Sequence, residues 1–236
     1  MTIKEEDKTD LIILNYNNYN YYFLFFIKKS KNDNFIFKKI LKKNIHNYLN
    51  SKWNTITLIE TTNNFILIPN EIYQKKDDKK YLSYVSKNND NKIKRNLTNK
   101  IICLYTSNKD FDSKQKITNN FHIFSKLNKD QIKKNNSDFY INIFLGGDKI
   151  IISINKNNVL YFYNHFNIKN DYLKYLIILW KEYDLNQSKN LITITSVYYN
   201  DAINMKKKLN KYFKKISIKK IEENSNILNL KNNLER

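Results

Sequence analysis

Cysteine, glycine, proline and arginine are almost missing from this chain of 236 residues, which holds one Cys, two Gly, one Pro and two Arg. The single Cys103 excludes a disulfide framework and a cysteine-based zinc module, and sets a reducing compartment as the expectation. Two glycines and one proline exclude collagen-like, Pro-rich and Gly/Ser-linker classes. No apolar run reaches the roughly 18–20 residues that span a bilayer, and residues 1–10 are too polar and acidic for a signal peptide. A cytosolic protein of one large or two small domains is expected.

What is present is lopsided. The chain has 41 Asn and 40 Lys, one Ala, 14% aromatic residues and a formal net charge of +20. The inflated residues have A/T-rich codons and the depleted ones G/C-rich codons. Part of the positive charge therefore reflects coding bias, although the field it creates is physical whatever its origin. Scarcity of Arg, the residue suited to bidentate contacts with phosphate and guanine, speaks against sequence-specific nucleic-acid readout.

Hydrophobic alternation and turn residues predict strands over 11–15, 21–27 and 35–40, joined as hairpins. Ile45, Tyr48, Leu49 and Trp53 recur at helical spacing. Strands over 55–60 and 64–68 follow, then Pro69 at the first turn of a short helix, a helix carrying Tyr81, Leu82 and Val85, and a closing strand over 100–106. The second half repeats the order. Strands over 139–144 and 149–155 flank a Gly-Gly hairpin turn, and a third covers 159–163. A helix with Tyr172, Leu173, Leu176, Leu179, Trp180 and Tyr183 on one wide face comes next. A strand over 191–196, a helix over 201–213 with Met205, Leu209, Tyr212 and Phe213 inward, and a strand over 216–221 complete it.

Two successive β-β-β-α-β-α units define an α/β fold, a duplicated ribonuclease H-like arrangement of the actin-like ATPase type. The expected division is an N-terminal subdomain over 1–136, a C-terminal subdomain over 137–221, and a loose Asn-rich tail over 222–236.

Several segments resemble one family. Asn64-Phe65-Ile66-Leu67-Ile68-Pro69 with Ile72-Tyr73 and Tyr81-Leu82 is similar to its extended run ending in Val-Pro before a Tyr-Leu pair. Val159-Leu160-Tyr161-Phe162-Tyr163-Asn164-His165-Phe166, followed by Asp171-Tyr172-Leu173-Lys174-Tyr175-Leu176, is similar to its Asn-x-Phe segment and aromatic helix. The family is the Bacteroidota domain of unknown function 3822, and the collinear resemblance covers about residues 11–221. It implies an actin-like ATPase fold, a bacterial cytosolic setting and no established activity. It also fits the A/T-rich, endosymbiont-like codon usage, and supplies no catalytic residues.

An ATP-binding protein of this fold needs backbone amides and an Asp at the first hairpin of each half, to hold phosphates and a magnesium ion in the cleft between them. The turn Asn15-Tyr16-Asn17-Asn18-Tyr19-Asn20 has neither Gly nor Asp. Gly146, Gly147 and Asp148 form the one candidate nucleotide loop, and a plain hairpin turn is the favoured account of them, since Gly-Gly at a two-residue turn needs no ligand. ATP hydrolysis is not expected. Glu60, Asp10 and Asp148 do not make the strand-borne carboxylate cluster of a two-metal nuclease. His46, His122 and His165 lack metal-ligand spacing, and Cys103 reads as a core residue. Lys206, Lys207, Lys208, Lys211, Lys214 and Lys215 lie on or beside the last helix, with Lys207, Lys211 and Lys214 as candidate contacts for RNA or an anionic membrane. A solvated face made by codon bias is the simpler account of them. The favoured reading is a non-catalytic protein that binds a protein partner, with residual ATP binding and RNA association as alternatives.

Overall fold

A computed structural model describes residues 9–16, 20–28, 34–86, 92–98, 100–107, 117–127, 139–147, 149–157, 159–167 and 172–221. The chain divides into two compact units, residues 1–129 and 130–236.

In the first unit, β1 (Thr9–Asn15), β2 (Tyr21–Lys28) and β3 (Asn34–Leu41) form an antiparallel meander, and β4 (Thr55–Glu60) joins β1 in parallel. The short helix α1 (His46–Leu49) provides the crossover. Alternate residues Leu11, Ile13, Tyr22, Leu24, Ile56 and Leu58 pack under Ile45 and Leu49, with Trp53 against them. Trp53 donates Nε1–H to the Tyr48 carbonyl at 2.7 Å, so the half-buried indole has its polar handle paired. At the entry edge, Asp10 accepts from Asn54 Nδ2 at 2.8 Å and Thr55 Oγ1 at 2.6 Å, which fixes the start of β1 against the start of β4.

The expected closing strand over 100–106 is instead the centre of a separate sheet. β5 (Phe65–Pro69), β6 (Lys92–Thr98) and β7 (Ile101–Ser107) pair in the order β5-β7-β6, all antiparallel. Pro69 ends β5 rather than starting a helix. It is tolerated there because proline lacks only a donor, and β5 is an edge strand. Helix α2 (Asp78–Ser83) lays Leu82 onto Ile68 and Leu104. Its first turn is held by Asp78, whose Oδ1 accepts from the Tyr73 hydroxyl at 2.7 Å and whose Oδ2 accepts from Arg95 at 2.7 Å. Burial and the bond to Asp78 push the Tyr73 phenol up to about 12. Cys103 is buried, as expected for a core residue, and burial pushes its thiol well up. The five-stranded sheet is completed by β8 (Asn119–His122), parallel to β4 and followed by α3 (Ile123–Leu127), giving the order β3-β2-β1-β4-β8.

The second unit is the cleaner copy. β9 (Tyr140–Gly146), β10 (Lys149–Lys156) and β11 (Val159–Asn167) form the meander. Then α4 (Tyr172–Glu182), β12 (Leu191–Ser196), α5 (Tyr199–Leu209) and β13 (Ile216–Lys220) alternate. The sheet order is β11-β10-β9-β12-β13, with β12 parallel to both neighbours. Ile141, Ile143, Ile150, Ile152, Ile192 and Ile194 of one face pack against Leu176, Trp180, Met205 and Leu209 of the helices. Helix α4 ends in a reciprocal cap in which Leu185 N–H bonds to the Trp180 carbonyl at 2.8 Å and Asp184 N–H to that of Lys181 at 3.2 Å. The last helix covers less than the expected 201–213, because the chain turns at Asn210. Tyr212 consequently lies outside the helical period and is 42% exposed, not inward, whereas Phe213 is buried. The tail 222–236 lies outside the described residues.

Candidate functional site

Ligands of open α/β sheets bind beyond the carboxyl ends of parallel strands, next to the point where strand order reverses. In the first unit those ends bring Asn15, Glu60 and His122 into one register row across β1, β4 and β8. Two of these residues look unrelated in the sequence. Glu60 accepts from Ser107 Oγ at 2.6 Å and from Asn120 Nδ2 at 3.1 Å, and Tyr105 donates its hydroxyl to Asn120 Oδ1 at 3.0 Å. Asn96 spans the same seam, donating to the Asn120 carbonyl at 3.2 Å and accepting from His122 N–H at 2.7 Å. His122 Nδ1 accepts from Phe124 N–H at 3.3 Å, so Nε2 carries the proton and donates to the Thr62 carbonyl at 3.0 Å. Burial and the neighbouring Glu60 charge push the Tyr105 phenol far up.

This polar layer joins the three-stranded sheet to β4 and β8. Glu60, Tyr105 and His122 have no exposed surface. A general acid or base must reach the proton it moves. Here Glu60, Tyr105 and His122 are tied to Ser107, Asn120 and the Thr62 carbonyl, bonds that order the fold.

The turn beyond β1 begins with Tyr16, whose ring is fully buried edge-on to Phe23 at 5.7 Å. A phosphate cradle needs open backbone where that bulky ring is packed. In the second unit Gly146 pairs with Lys149, so the hairpin loop is residues 147–148, and Gly147 supplies the positive φ of 63° that a two-residue turn requires. Asp148 lies outside the described residues. At the turn after β12, Ser196 Oγ accepts from Tyr198 N–H at 3.1 Å, and the bulky Tyr198 and Tyr199 follow. Among the described residues, no group of three or more His, Cys, Asp or Glu side chains could hold a metal ion.

Two surfaces of the second unit stand out instead. Strand β11 is an outer strand of nine residues without a charge, and its pairing with β10 slips between Ile154 and Asn155, leaving Tyr161 as a bulge. Helix α4 runs back along it: Phe166 stacks on Tyr175 at 4.9 Å, and Tyr183 donates to the Tyr161 carbonyl at 3.2 Å. Val159, Tyr161, Tyr175 and Ile178 are exposed by 56%, 46%, 41% and 49% along this edge. The second surface follows α5 and β13. Lys207, Lys208, Lys211, Lys214, Lys215 and Lys220 are exposed there, the three lysines singled out from the sequence among them.

Element order, sheet topology and duplication together define the ribonuclease H-like scaffold twice over, and a solved structure agrees. The chain is similar to a protein with actin-like ATPase fold and unknown function from Bacteroides thetaiotaomicron, at 16% identity and a TM-score of 0.74, over 93% of this chain and 94% of that one. Weaker similarity extends to the cytoplasmic domain of EpsL, an inner membrane component of the type II secretion system of Vibrio cholerae, with 7% identity, 80% and 82% coverage and a TM-score of 0.46. An exopolyphosphatase from Cytophaga hutchinsonii gives 9% identity, 86% and 71% coverage and a TM-score of 0.39. The chain thus has the actin-like ATPase fold. It belongs to the family described as Protein of unknown function (DUF3822), whose model matches residues 11–216. No curated protein matches it. Among the described residues no helix is long and apolar enough to cross a membrane.

Proposed function

We propose that this chain is a non-catalytic, partner-binding protein of the actin-like fold, and that a second copy of the chain occupies its β11–α4 face. The observation that carries the reading is the missing charge on β11. Natural proteins guard outer strands with lysine. Here β3 carries exposed Lys38 and Lys39 and β13 carries Lys219 and Lys220, while β8 is only four residues long. In a chain with 40 Lys, nine consecutive residues of outer strand without a charge leave one apolar, tyrosine-lined edge unguarded.

Charge decides the occupant. Two copies at +20 each repel, yet at physiological salt the repulsion fades over about 8 Å. They meet with least penalty where no lysine lies between them, whereas an acidic partner is drawn to the lysine surface on α5. A two-fold axis sets each exposed Ile178 and Tyr175 against the partner's Val159 and Tyr161, the isologous contact of most dimers.

Sedimentation velocity at micromolar concentration tests the reading. A dimer is expected for the natural chain and a monomer for Ile178→Glu and for Val159→Glu, both with unchanged thermal melts. A natural chain that stays monomeric at tens of micromolar, or a dimer indifferent to both substitutions, overturns it.

A further inference from the structure

We infer that the surface formed by α5 and β13 binds single-stranded nucleic acid, with lysines on its phosphates and Tyr212 under a base. This surface does not depend on the β11–α4 face. Between Ala202 and Ile221 the chain holds eight lysines and no Asp or Glu. The chain as a whole has one lysine in about six residues, so the stretch is more than twofold enriched, and unlike the equally lysine-rich residues 28–43 it carries no carboxylate. Among the described residues, Lys207, Lys208, Lys211, Lys214 and Lys215 have no carboxylate within ion-pair distance, which leaves their charge available to a ligand.

Tyr212 changes the meaning of those lysines. Helical periodicity places it in the core. Because α5 stops at Leu209, its ring is instead partly exposed beside Phe213, in a segment where Lys208, Lys211, Lys214 and Lys215 are exposed too. An exposed aromatic ring in a lysine-rich segment offers a base a stacking face while the lysines neutralise the backbone. At the other end of α5, about 15 Å away by helix rise, Tyr199 is exposed with the Lys220 ammonium 5.6 Å from its ring centre. The lysines thus cluster at the C-terminal end of α5 and beyond it, while Tyr199 at its start lies beside Lys220 and Asp201.

Two competing ligands fit less well. A membrane-surface helix needs a free apolar face to insert. On α5 that face is Ala202, Met205 and Leu209, all buried in the core of the unit. Duplex readout rests on arginine in the major groove, and this segment has none.

The test is fluorescence anisotropy of labelled 12-nucleotide RNA and DNA single strands with the full chain, titrated with salt. Log affinity falls by about 0.7 per phosphate contact with log salt. The triple variant Lys207→Glu, Lys211→Glu, Lys214→Glu is expected to flatten that slope by about 2, while the equally charged control Lys75→Glu, Lys76→Glu, Lys79→Glu leaves it within about 0.5. Tyr212→Ala is expected to weaken binding about tenfold and Tyr212→Phe to restore it, because the ring and not the hydroxyl stacks. Equal weakening by the two triple variants overturns the assignment to this surface. So does a Tyr212→Ala chain that binds like its parent, or binding to phosphatidylserine vesicles that no oligonucleotide displaces.

Discussion

Asp184 sits at φ 46°, in the left-handed region, where α4 ends. Glycine is the usual occupant of this position because a Cβ crowds the following carbonyl there, and a chain with two glycines in 236 residues makes do with an acid. The bonds from Asp184 and Leu185 back to Lys181 and Trp180 hold the backbone in place regardless. Asp184→Gly should therefore raise stability by about 0.5–1 kcal/mol, measured as the urea midpoint at constant slope. A loss would show that the carboxylate itself contributes to the cap. Single residues also mark where the sequence was readable. Cys103 in the core and Gly147 in the turn follow from residue type alone. Tyr212 does not, because its place depends on where the helix stops, and Asn210 gives no stronger stop signal than the many other Asn residues of the chain.

Among the elements, the layer between the three-stranded sheet and β8 is held by polar contacts. Asn120 is its node. It accepts from Tyr105 and donates to Glu60 and Ser107, so its amide orientation is fixed by its partners. Asn120→Ala removes these bonds and should cost about 2 kcal/mol. Asn120→Asp replaces the donor that faces the Glu60 carboxylate with a second negative oxygen, and should cost more than the alanine variant. Chemical denaturation of the two variants side by side decides, and an aspartate no worse than alanine would refute the donor assignment. The strands of the meanders were legible because they alternate and are bounded by polar turns. β6 was not, since Lys92, Lys94 and Arg95 give it the composition of a solvated loop, and β8 is only four residues opening on Asn-Asn. The row of Glu60 and His122 was invisible for a different reason: it arises from parallel pairing between positions far apart in the chain. On the surfaces, the lysines of α5 were legible as a cluster. The bareness of β11 becomes meaningful only once the strand is known to be an outer one.

For the molecule as a whole, the ring of Tyr16 fills the turn beyond β1, where a bound phosphate would need open backbone. A site with a Kd of 10 μM would add about 2.7 kcal/mol of stability at 1 mM ligand. Differential scanning fluorimetry with 1 mM Mg-ATP should therefore show no rise in Tm, and a rise of several degrees that Gly147→Val abolishes would restore nucleotide binding. The three-stranded sheet inserted between β4 and β8 also has a consequence for how the chain assembles. Strand β8 meets β4 across 58 intervening residues, 61–118, whereas the matching strand of the second unit, β13, meets β12 across 19, 197–215. Closing the longer loop costs about 1 kcal/mol more in chain entropy. The partners that secure β8, at Asn96, Tyr105 and Ser107, exist only once β6 and β7 have paired. The side-chain bonds to β8 therefore form only with the insertion in place, whereas its backbone pairing with β4 does not depend on it. The second unit, made of short crossovers, is free to fold early.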